Sequence, residues 1–67
     1  MNKERKKQII NFCIQMARDE LDEKLSDAEK MDKMNSALNA LRPNPVEFAM
    51  MTDLVDEFVD KIKKGEI

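Results

Sequence analysis

Apolar residues recur along the first two thirds of the chain in steps of three or four: Ile10, Ile14, Ala17, Leu21, Leu25, Ala28, Met31, Met34, Leu38 and Leu41. That is the period of a helix packed along one side, and this stripe is the predicted core. No glycine or proline lies between Met1 and Leu41, so nothing in the backbone chemistry forbids helix there. One interruption is written in side chains. Ser26 and Glu29 have the spacing of a capping box, and Asp27 suits the positive end of a new helix. Against a break, no glycine or asparagine stop follows Leu25, and Lys30 stands where a hydrophobic staple would want an apolar residue. Residues 3–41 therefore hold either one continuous helix or two, over about 3–25 and 27–41, with the break preferred.

The strong punctuation comes later, in Leu41-Arg42-Pro43-Asn44-Pro45-Val46-Glu47-Phe48, which holds both prolines. Pro43 disfavours helical geometry at Arg42 and predicts an extended residue there. Asn44 can cap a new first turn, Pro45 fits the first helical position, and Glu47 stands three residues after the cap. The helix that follows, over about 45–64, shows a narrow apolar face of Phe48, Met51, Leu54, Val55, Phe58, Val59 and Ile62, read as core. Glu57 and Lys61 are a favourable pair four apart, Lys61, Lys63 and Lys64 suit the negative end of the helix, and Gly65 can take a left-handed stop. The short corner predicts flanking helices that are antiparallel neighbours or cross steeply. The fold class is all-α: one domain over residues 1–67, either a helical hairpin or a small three-helix bundle.

Length changes the picture next. A chain of 67 residues has a core worth only about 3–5 kcal/mol and needs support. Cys13 is the single cysteine and there is no histidine, which excludes an internal disulfide and a set of zinc ligands. Self-association remains, so a homodimer or higher oligomer is expected. The balance of 39% charged and 42% hydrophobic residues is that of amphipathic helices. No apolar run approaches the roughly 18 residues of a membrane span, and no continuous hydrophobic segment resembles a signal peptide, so a cytoplasmic protein without a membrane partner is expected. The net charge of −2 is too small to imply a nucleic-acid or membrane partner.

Around residues 9–17 the apolar arc widens to over half the helix circumference, because Ile9, Phe12, Cys13 and Met16 lie beside Ile10, Ile14 and Ala17. An arc that wide is either inside a bundle or touches two partners, which makes Ile9, Phe12, Cys13 and Met16 the first candidate interface. Val46 and Met50, pointing away from the core face of the last helix, form a second small patch. The basic start, Lys3, Arg5, Lys6 and Lys7, and the acidic stretch from Arg18 to Glu29 read as solvated faces, or as charges that set the register of an antiparallel pairing.

Catalysis is hard to assemble without histidine or tyrosine, and Cys13 has no partner base in the sequence. Asp19, Asp22 and Glu23 lack the glycine of a calcium loop and read as solvated charges, and no glycine-rich loop exists to hold a phosphate. No enzyme activity, cofactor or metal is expected. Nucleic acid is disfavoured, since Glu47, Asp53, Asp56, Glu57 and Asp60 on the last helix would repel phosphates and only the basic start suits them. Of six methionines, Met16 and Met50 favour an adaptable binding groove, while Met31, Met34 and Met51 fall on the predicted core stripes. The function expected is a non-enzymatic protein–protein interaction module, a small regulator or inhibitor of bacterial or phage type that binds a larger macromolecule. A self-assembling structural component is the first alternative, and a small DNA-binding protein using the basic N-terminus the second.

Overall fold

Each helix begins where a side chain takes up its free amides. In the computed structural model, which describes residues 2–67, α1 runs Lys3–Glu20, α2 runs Asp27–Leu41 and α3 runs Pro45–Lys63. No strand occurs among the described residues. The Asn2 side chain accepts from the Arg5 amide at 2.7 Å. Ser26 and Asn44 open full capping boxes: Ser26 Oγ accepts from the Glu29 amide at 3.1 Å, and Asn44 Oδ1 from the Glu47 amide at 2.8 Å. Glu29 and Glu47 reach back to the amides of Ser26 and Asn44, and the Ser26 amide lowers the pKa of the Glu29 carboxyl. Ser26→Ala and Asn44→Ala are each expected to lower unfolding free energy by about 1 kcal/mol, read as a fall in the urea midpoint at unchanged slope.

The helix ends are less regular than the starts. α1 stops at Glu20, five residues short of the expected residue 25. The cause is Asp22, whose side chain accepts the Lys24 amide at 3.0 Å and so offers the backbone a turn in place of helix. Acidic residues at 19, 20, 22 and 23 also oppose the negative end of the dipole. Arg42 is left-handed, at φ 49 and ψ 60, rather than extended as expected. It leaves the right-handed region that Pro43 disfavours, yet its amide still donates to the Leu38 carbonyl at 2.8 Å. α3 closes with Gly65 at φ 76, its amide on the Ile62 carbonyl and the Glu66 amide on that of Lys61, which is a Schellman ending.

Packing is unequal. α1 and α3 form the close pair, joined by buried Ile9, Cys13 and Met51, with Leu54, Val55 and Phe58 packed around them. The α1 side of this core is Ile9, Cys13 and Ala17; Ala17 lies on the predicted stripe, while Ile9 and Cys13 stand one position round from Ile10 and Ile14, which are half-buried. α2 approaches α1 alone, and no Cα of α2 lies within 8 Å of one of α3. The helices flanking the Pro43 corner thus diverge instead of packing on each other. The molecule is correspondingly flat, 33 × 27 × 17 Å. Met31, Met34 and Phe48, all expected in the core, stand 55%, 37% and 51% exposed because α2 and α3 do not close over them.

A candidate docking groove

Polar ties fasten α2 at both ends. At the corner, Arg5 of α1 donates from Nε and Nη2 to the two carboxylate oxygens of Glu47, each at 2.9 Å. The same guanidinium donates to the Leu41 carbonyl at 2.8 Å and the Arg42 carbonyl at 3.2 Å, so it satisfies the end of α2 and the start of α3 together. Hydrogen bonding from Arg5, then from the Asn44 amide, holds the Glu47 carboxyl down at about 2. At the far end Lys30 Nζ donates to the Glu20 carbonyl at 2.9 Å, closing the last turn of α1, and Lys33 lies 3.6 Å from Asp19. Both ties fasten α2 to α1, and the first also reaches α3 through Glu47.

Between α2 and α3 lies an open groove with a volume of about 600 Å³. Phe12 and Met16 of α1 form its floor, Met31, Met34 and Leu38 one wall, and Phe48, Met51 and Val55 the other. Asp19, Glu20, Asp27 and Asp56 also line it, with Lys30 as the one cation among the lining side chains. Asp19 is only 6% exposed. Its Oδ1 accepts from Gln15 Nε2 at 2.9 Å, while its Oδ2 is buried with no donor among the described residues. A volume of this size is in the range of roughly 300–1,000 Å³ typical of ligand sites, and thioether-rich walls repack around varied occupants.

No family model, curated protein or solved structure matches the chain. The site is therefore characterised by its own geometry.

The candidate interface residues divide into three sets. Ile9 and Cys13 are 1% and 0% exposed, covered by α3 of the same chain, and so are not on any surface. Phe12 and Met16 are half-buried and meet the groove. Val46, at 80% exposure, and Met50, at 37%, lie outside the groove lining. The Cys13 thiol donates to the Met51 carbonyl at 3.8 Å, and burial pushes it up to about 11, which keeps it protonated and inert near neutral pH. Among the described residues no three His, Cys, Asp or Glu side chains stand close enough together to hold a metal ion, and no helix is long and apolar enough to cross a membrane. Of the basic start, Arg5 is engaged in the corner while Lys3, Lys6 and Lys7 are exposed.

Proposed function

We propose that this chain is a non-enzymatic protein–protein interaction module, a small regulator or inhibitor that takes an apolar element of a larger macromolecule into the groove between α2 and α3. The observation that carries the reading is the exposure of Met31, Met34 and Phe48 across one concavity, in a chain whose buried apolar core is Ile9, Cys13, Ala17 and Met51. Leaving three large apolar groups facing water while burying four costs a small protein stability, and contiguous patches of this kind mark interaction sites.

The test uses substitutions that charge the walls without touching the core. Phe48→Asp and Met31→Asp change side chains that are over half exposed, so unfolding free energies from urea titration should stay within about 0.5 kcal/mol of the parent. Covalent capture of the partner by cross-linking should nevertheless fall at least about tenfold, the loss expected when a charge enters an apolar contact. Val46→Asp, outside the groove, should leave capture unchanged. Equal capture by the parent and both groove variants would remove the groove from the function. Light scattering across a concentration series decides the self-assembling alternative: an oligomer that Phe48→Asp dissociates would assign the groove to a second copy.

A further inference from the structure

Resting on that docking reading, we infer that the element the groove takes is an amphipathic helix of about three turns, from a different protein, edged with lysine or arginine. Length comes from the α2 wall: Asp27 to Leu38 spans about 17 Å at roughly 1.5 Å per residue, enough for apolar anchors at i, i+3 or i+4, and i+7. Helix is preferred to strand because an extended peptide needs a sheet edge to pair with, and the described residues hold no strand.

Charge sets the sign. The groove is lined by Asp19, Glu20, Asp27 and Asp56 against Lys30, and the Lys30 ammonium is already donating to the Glu20 carbonyl. Asp19 supplies an independent mark. It is more than nine-tenths buried, it lines the groove, and one of its two oxygens has no donor despite Gln15 and Lys33 at the other. That oxygen has no surface of its own, so it adds negative potential from within the wall, and a cationic edge meets that potential through exposed Glu20, Asp27 and Asp56 at the rim.

The same charges argue against a second copy. Groove against groove would set each acidic rim on its own image, a like-charge juxtaposition that disfavours the pairing. Nor does the chain have a spare basic helix to lend, since the helix that begins with Lys3, Lys6 and Lys7 spends Ile9 and Cys13 in its own core.

Two fluorescently labelled synthetic peptides of about 14 residues test this, with identical Leu and Phe anchors at i, i+4 and i+7 and edges of either Lys/Arg or Glu. In anisotropy titrations at low salt the basic-edged peptide should bind about tenfold tighter than the acidic one, the ratio shrinking as salt is raised. Asp19→Asn should weaken the basic peptide severalfold and leave the acidic one unchanged. Because Asp19 is buried, the pair Glu20→Gln and Asp56→Asn, both exposed, provides a second route to the same narrowing of the ratio. Equal affinities that these variants do not alter would overturn the basic edge while sparing the groove. Binding of neither peptide, or binding that Phe48→Asp leaves intact, would overturn both.

Discussion

Ile9→Ala is expected to unfold a large share of the protein at room temperature. Ile9 is 1% exposed and packs with Cys13 and Met51 at the centre of the α1–α3 pair. Truncating a buried isoleucine to alanine costs about 2–5 kcal/mol, depending on how far the cavity collapses. A core of this size supplies only about 3–5 kcal/mol, so the loss consumes most of it. Urea titration followed by far-UV circular dichroism should show a folded baseline that is shortened or missing. Ile10→Ala, one position round and half-buried, should cost less than half as much. A larger loss from Ile10→Ala than from Ile9→Ala would mean that the other α1 stripe is the true core.

Arg5→Ala should also destabilise the fold, for an electrostatic reason. It removes the cation from a Glu47 carboxylate that is 7% exposed, and the donor from the carbonyls of Leu41 and Arg42. The loss falls on Glu47, which keeps only the Asn44 amide, and on the part-buried Leu41 carbonyl, while the exposed Arg42 carbonyl can turn to water. In the Glu47→Gln background the same Arg5→Ala change should cost less, and the difference is their coupling. Acid titration gives a second reading. The folded Glu47 pKa of about 2 lies below the ordinary 4.5, so its contribution is fully present above about pH 4.5 and is lost as pH falls towards 2. Parent stability should therefore decline through that window, and Arg5→Ala and Glu47→Gln should each flatten the decline. An Arg5→Ala profile parallel to the parent's would show that the clamp contributes nothing.

Local chemistry was readable in the chain where it was carried by neighbours. Asn44, Pro45 and Glu47 announce a helix start within four residues, Ser26 and Glu29 do the same, and all of these interactions form as the spacing implies. Asp22 was readable in principle, as a residue that competes for amides near a helix end, but the unbroken apolar stripe through Leu21 and Leu25 masked it. Which of two adjacent α1 stripes becomes core could not be read from periodicity, because the arc there is apolar on both sides and α3 chooses between them. Arg5 looked like one member of a basic cluster, since its partners Leu41 and Glu47 lie 36 and 42 residues away. Phe12 and Met16, singled out by the width of the arc, are half-buried and line the groove. Met31, Met34 and Phe48 carry the same periodic signature as a core, and only the failure of α2 and α3 to meet turns them into the walls of a site.

α2 buries none of its own residues, being fastened by Arg5 at one end, by Lys30 and Lys33 at the other, and by half-buried Leu38 and Leu41 against the cluster of Ile9, Cys13 and Met51. A displaced element that fills no interior space leaves no cavity behind, so its resistance to motion is set by a few surface bonds and not by close packing. The groove thus has one wall, α3, locked to α1 through buried Met51, and one wall, α2, fastened by those bonds. Its width is set on that side by a handful of surface bonds and on the other by the packed core.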